Sequence, residues 1–168
     1  RGGGITARQF LPAYSTPQAV EVYAILGGIP AYLEQFDDSH SLEFNVRTRI
    51  LNLTSFFLID PLYLLNEALH EPRNYHAICA AIGLGARRPS EIASMTGLER
   101  TNLPKYLNTL QTLGFLERRT PVSWRQGGDE RGIYAIKDHY LRFYFRFVQP
   151  YLADLERADL FHHGGVGD

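Results

Sequence analysis

The chain has 168 residues, 45% of them hydrophobic and 21% charged, with a formal net charge of -1, a globular composition sufficient for one ordinary domain or two small ones. No apolar run reaches the length of a membrane span and no secretory leader opens the sequence, so no membrane partner and a cytoplasmic location are expected. Cys79 is the single cysteine and has nothing to pair with internally, which fits a reducing compartment.

Because it begins at Arg1 rather than Met, the sequence reads as a piece of a longer polypeptide. Residues 15 to 69 read as short helices joined by punctuated turns. Ser15 or Thr16 caps a helix with Pro17 in its first turn, and Val20, Tyr23 and Ala24 supply its apolar stripe. Gly27 and Gly28 end it, since glycine accepts the left-handed conformation that closes a helix. Pro30 opens the next helix, which fades at Asp37-Asp38-Ser39. Leu42, Val46, Ile50 and Leu53 mark a third, and Asp60-Pro61 caps and starts PLYLLNEAL.

Glu71-Pro72 marks a boundary. NYHAICAAIG predicts a helix with Tyr75, Ile78 and Ile82 on one face. RRPSEIASMTG is a short second helix, Ile92 and Met95 facing inward and Gly97 its stop. LERTNLPKYLNTLQTLG is a third, with Leu103, Tyr106, Leu107, Leu110 and Leu113 at helical spacing and Gly114 its terminator. Pro104 requires a helix start just before it, with Thr101 or Asn102 as cap. FLERRTPV alternates like a strand, SWRQGGDERG is a turn-rich loop, and GIYAIKD is a second strand. This order is that of a winged helix. HYLRFYFRFVQPYLADLERA follows as an aromatic helix, and FHHGGVGD reads as a loose tail.

The fold class expected is therefore mainly α: a small helical bundle over 1–71, a winged helix-turn-helix of three helices plus a β-hairpin over 72–138, and a C-terminal aromatic helix and tail over 139–168. The charge divides similarly. Residues 1 to 72 carry four basic groups against eight acidic ones, and residues 73 to 138 carry ten against six, which suggests modules with different partners.

A winged helix either docks domains or contacts duplex DNA, and both readings stay open. For DNA the candidate residues are Arg100, Thr101, Asn102 and Lys105 on the third helix, with Arg125 and Arg131 on the wing. Arg and Lys would bind phosphates, while Asn or Arg near the helix start would read base edges. Glu99, Asp129 and Glu130 weaken that field. The six histidines lack ligand spacing, so no metal is expected, and Cys79 reads as a small buried hydrophobe. The aromatic run from Tyr140 to Tyr151 reads as core for the start of a C-terminal domain that continues beyond residue 168, with base stacking the alternative. Neither Lys105 nor Lys137 follows a glycine, so the chain has no phosphate-binding loop of the GxxxxGK[ST] type, and no catalytic residue is assigned.

Taken together, YAILGGIPAYLEQFDDSHSLEFNV, LLNEALHEPRNYHAICAAIGLGARRPSEIA, LPKYLNTLQTLGFLERRTPV and GIYAIKDHYLRFYFRFVQPYL resemble the C-terminal half of the archaeal-type predicted ATPases, a STAND-like branch of the AAA+ and related P-loop NTPases. The likeness covers about residues 9 to 152. RGGGITA at the start and Pro104 at the recognition helix depart from it. It implies that 1–71 is the helical lid of an ATPase whose core, with the Walker motifs that hold ATP and Mg, lies upstream, and that a further domain of nuclease-like fold lies downstream. It also implies that Gly27, Gly28 and Pro30 form the adenine-facing edge of the lid. The leading expectation is a regulatory fragment that couples nucleotide state to DNA or partner-domain contact, without ATPase activity of its own. The alternative is a stand-alone winged-helix DNA-binding regulator. The oligomeric state is left open.

Overall fold

The computed structural model describes residues 7–52, 55–57, 65–66, 69–119, 132–154 and 157. The element order is α1 (Ala7–Phe10), α2 (Thr16–Leu26), α3 (Pro30–Leu33), α4 (Leu42–Asn45), α5 (Pro72–Gly83), α6 (Pro89–Thr96), α7 (Leu103–Thr112), β1 (Leu116–Arg119), β2 (Ile133–Ile136) and α8 (His139–Phe143). Two of these helices run on into π-helical turns, α4 over Val46–Ile50 and α8 over Tyr144–Val148. Asp60-Pro61, Leu53, the wing loop and the tail lie outside the described residues. No described helix is long and apolar enough to cross a membrane.

Local sequence accounts for most helix ends. Ser15 caps α2 reciprocally with Gln18: the Gln18 N–H donates to the Ser15 hydroxyl (3.4 Å) and the Ser15 N–H donates to the Gln18 side-chain Oε1 (2.9 Å). Ser41 caps α4 by accepting from the Phe44 N–H, and Asp138 caps α8 by accepting from the Leu141 N–H. Glycines with positive φ close α2, α6 and α7, at Gly27, Gly97 and Gly114.

The buried stripe of α2 differs from the one expected. Ala19, Val22 and Leu26 are buried, while Val20 and Tyr23 are 64% and 45% exposed and Ala24 is exposed. Both triplets satisfy helical spacing, and they lie on adjoining faces. Packing by α1 and α8 decides which one is inside.

Within the winged helix, α5, α6 and α7 pack together, and β1 pairs antiparallel with β2 in the register Leu116↔Ile136 to Arg119↔Ile133. Tyr134 N–H donates to Arg87 C=O (2.8 Å), which ties the α5–α6 connection to the outer side of β2. Tyr75, Ile78 and Ile82 are buried on α5, as their spacing predicts. On α6, Ile92 and Ala93 are buried and Thr96 half-buried, whereas Met95 is 53% exposed. The inward face is centred between Ile92 and Ala93, and Met95, 60° behind Ile92 on a helical wheel of 3.6 residues per turn, falls past its edge.

The aromatic helix, expected to be core for a further domain, instead buries its residues in the same core as the rest, because α8 packs back on α2 and α5, while Phe147 and Tyr151 are exposed. Tyr140, Tyr144, Phe145 and Val148 are buried, and α8 packs against both α2 and α5. The Tyr140 ring lies 5.3 Å from Tyr32 and 5.2 Å from Phe57, and its hydroxyl donates to the Phe57 carbonyl. One hydrophobic cluster therefore joins the N-terminal helices, the winged helix and α8. Each fully buried side chain of the Leu or Ile size, such as Ile78 or Leu110, contributes about 1.5–3 kcal/mol.

Gly83 sets how closely α8 lies on α5. A Cβ there would meet Phe145 Cβ at 2.6 Å and the Phe145 backbone at 3.0 Å. In the N-terminal bundle, Asn45 is a fully buried polar residue with its bonds satisfied. It accepts from Asp37 N–H (2.9 Å) and its amide donates to Tyr14 Oη (2.7 Å) and Asp37 C=O (2.7 Å).

Candidate nucleic-acid interface

Helix α7 is held by its inner face. Leu103, Tyr106, Leu107 and Leu110 are buried. Tyr106 Oη donates to Glu71 Oε2 (2.9 Å) and accepts from Asn74 Nδ2 (3.0 Å), while its ring meets Tyr75 edge-on at 5.1 Å. These contacts lock the orientation of α7 to the start of α5. What α7 shows to solvent is then fixed by complement.

The outward residues are the ones the sequence nominates for DNA. Arg100, Thr101, Asn102 and Lys105 are all exposed and lie together at the start of α7. Asn102 occupies the N-cap position with α-helical backbone angles (φ -88°, ψ -23°), so its amide does not cap the helix. It stays on the surface, 3.5 Å from Glu99 Oε2. Pro104 sits in the first turn, where its missing N–H has no intrahelical acceptor to lose. Lys105 Nζ lies 5.6 Å from the centroid of the Tyr106 ring, a cation–π contact that steadies it without neutralising it. Arg125 and Arg131 lie outside the described residues.

The exposed face continues to positions not singled out from sequence. Asn108 and Thr112 are exposed on the following turns. The signal that finds them is the apolar pattern itself, since positions outside the 103, 106, 107, 110 stripe face solvent. The Thr112 hydroxyl donates to Asn108 C=O (2.9 Å) and the Thr109 hydroxyl to Lys105 C=O (3.0 Å). Asn108 is exposed, and an asparagine amide is the group that can pair with adenine in a major groove. Nearby, Glu91 accepts from the Arg87 and Arg88 N–H groups (2.8 and 3.0 Å). These two bonds, Arg87 first, hold its carboxyl below the ordinary glutamate range.

The GGIP turn is divided in its exposure. Gly27 is buried at the end of α2 with φ 66°, and its N–H donates to Tyr23 C=O (2.8 Å). A Cβ on Gly27 would stand 3.4 Å from the His139 side chain, and the His139 ring lies 5.0 Å from Tyr23. The close approach permitted at Gly27 is thus taken by α8 of the same chain. Gly28 is half-buried, and Ile29 and Pro30 are exposed.

Other candidates fall to structural roles. Among the described residues no group of three His, Cys, Asp or Glu stands where it could hold a metal ion. Cys79 is buried on α5, and burial pushes its thiol up to about 12, which keeps it protonated and unreactive.

No protein-family model matches the chain. It is 32% identical over 153 residues to the uncharacterized protein MJECL04 of Methanocaldococcus jannaschii, a match over 90% of this chain and 34% of that protein. The chain thus spans about a third of the length of the curated relative it matches. Among solved structures it is similar to the homodimeric winged helix-turn-helix DNA-binding domain (fragment 1-100) of Mb0332 from Mycobacterium bovis, a possible ArsR-family transcriptional regulator. That likeness has 28% identity and a TM-score of 0.40, over 58% of this chain and 82% of the domain.

Proposed function

We propose that this chain is a DNA-contacting winged-helix regulator module, with the outer face of α7 as the contact surface. The observation that carries this reading is the face itself. Arg100, Thr101 and Asn102 in the turn leading into α7, with Lys105 and Asn108 on the helix itself, are exposed, and the helix's opposite side is buried and clamped through Tyr106. Cations on that face would bind phosphates, and the two amides would reach base edges. The β1–β2 hairpin lies beside α7, and Arg125 and Arg131 in its connection would supply further phosphate contacts. The test is titration of duplex DNA into the chain at increasing salt. Affinity should fall steeply, and Lys105→Ala should weaken binding and lower the salt slope by about one. A titration without binding at low salt removes the reading.

A second reading adds an ATP-driven switch. It rests on the exposure of Pro30 beside the half-buried Gly28, the edge that the resemblance assigns to adenine. Gly27, buried against His139, would act as the hinge of that turn rather than as a contact. These residues fit only the base of ATP, with phosphates and Mg left to a core elsewhere in a longer protein. On this reading Pro30→Ala in the intact protein weakens ATP binding, and unchanged nucleotide affinity rules it out. A second copy of the chain, and domains either side of it, remain partners of the same proposal.

A further inference from the structure

A second basic feature lies away from the α7 face. A cleft of ≈ 470 Å³ opens between the end of α5, strand β2 and α8, and four arginines line it: Arg87, Arg119, Arg142 and Arg146. No carboxylate is among its lining residues. The four are far apart in sequence and are gathered by the fold. Arg87 follows α5, Arg119 ends β1, and Arg142 and Arg146 lie one turn apart on α8. Gly83 is what lets α8 approach closely enough to contribute its pair.

Their charges are only partly compensated: Glu91 acts electrostatically on Arg87, and Glu21 lines the adjoining groove with Arg142 and Arg146. Arg119 pairs with Glu117. Arg142 donates through Nε and Nη2 to Ile136 C=O (3.3 and 3.0 Å), a neutral partner that fixes the guanidinium while leaving its charge and remaining donors free. Arg146 lies 5.9 Å from the Phe147 ring. Among the described residues Arg87, Arg142 and Arg146 form no ion pair with a carboxylate. Holding like charges around one cavity costs free energy through mutual repulsion, and an anion bound between them removes that cost.

We infer that this cleft binds a small phosphate-bearing anion of the pyrophosphate type, whose presence ties α8 to the wing hairpin. A planar carboxylate is matched by one guanidinium fork, whereas a tetrahedral phosphate offers oxygens in several directions and suits arginines arriving from different elements. The volume lies in the range of small-ligand sites, about 300–1,000 Å³. It leaves room for an organic group against Ile82, Leu84 and Tyr134. Because Arg119 belongs to the wing hairpin and Arg142 and Arg146 to the helix that packs on α2, the anion would couple the winged helix to the N-terminal bundle. The inference stands apart from the α7 reading, since none of these arginines lies on that face.

The experiment is calorimetric titration of inorganic pyrophosphate into the full chain at fixed ionic strength, with Arg87→Ala/Arg146→Ala and Lys105→Ala alongside. The expected result is saturable binding at one site, weakened about tenfold or more in the double variant and unchanged in Lys105→Ala. Both arginines are exposed, and the melting temperature of each variant without pyrophosphate checks that it folds. Absence of saturable binding at millimolar pyrophosphate would overturn the inference. So would binding that survives in the double variant, or equal weakening by Lys105→Ala, which would mark diffuse attraction. Competition by duplex DNA for the same heat would instead assign the arginines to a nucleic-acid surface and overturn it as well.

Discussion

Replacing Gly83 with alanine separates two opposing effects at one position. Alanine is favoured over glycine in a helix by about 0.8–1.0 kcal/mol, so an open site would be stabilised. Here the new methyl would stand 2.6 Å from Phe145 Cβ and 3.0 Å from the Phe145 backbone, against an ordinary carbon–carbon separation of about 3.5–4.0 Å. Relief requires α8 to move by about 1 Å, and α8 carries Tyr140, Tyr144 and Phe145 in the core. Overpacking of this kind costs about 1–3 kcal/mol and occasionally more. With the helix gain subtracted, the net loss should be near the upper end, about 2 kcal/mol. For a chain of this size that lowers the melting temperature by about 4–8 °C, read by far-ultraviolet circular dichroism. Gly83→Ser should be at least as damaging. At Gly97 nothing lies within 4 Å and φ is +72°, so Gly97→Asn should recover much of what Gly97→Ala loses, because asparagine tolerates the left-handed region. If Gly83→Ala proves as stable as the parent chain, the close packing of α5 on α8 is wrong.

Other expectations follow from single residues. Asn45→Ala strips partners from the Asp37 N–H and C=O inside the N-terminal bundle; at about 1–3 kcal/mol per unsatisfied group it should cost about 2–6 kcal/mol, seen as a lower urea midpoint at unchanged slope. A midpoint within experimental error of the parent would contradict that network. Glu91 has its folded-state pKa depressed by the Arg87 and Arg88 N–H groups. Its contribution is therefore fully present above the ordinary glutamate range and is lost as pH falls through the lower folded value. Glu91→Gln should therefore lower stability by a constant amount at neutral and alkaline pH, converge on the parent chain at low pH, and so flatten that acid limb; an unaltered acid limb refutes the assignment.

Much of the fold was legible because local chemistry and global packing agree. Ser15, Pro72, Gly97 and Gly114 mark helix ends from sequence alone, and the strand pair around the wing follows from alternation. The failures have a common physical origin. Helical spacing leaves the choice between adjoining faces of α2 to its neighbours, so Val20, Tyr23 and Ala24 were interchangeable with Ala19, Val22 and Leu26 until α8 was in position. Met95 failed for a related reason, since a helix of 8 residues gives too few turns to centre its buried face. The outer face of α7 was legible through the stripe it complements. The arginine cleft was not, because Arg87, Arg119, Arg142 and Arg146 meet only through tertiary packing. Asn45 carried no signal either, as nothing in its neighbours marks an asparagine for burial.

On the proposed function, the outer face of α7 is what meets DNA. Amide chemical-shift mapping of the chain during addition of a short duplex tests it residue by residue. The largest changes should fall at Thr101, Asn102, Lys105 and Asn108, with Leu107 and Leu110 on the buried side little affected. Shifts confined to the GGIP turn or to α8, or no shifts at low salt, would contradict it.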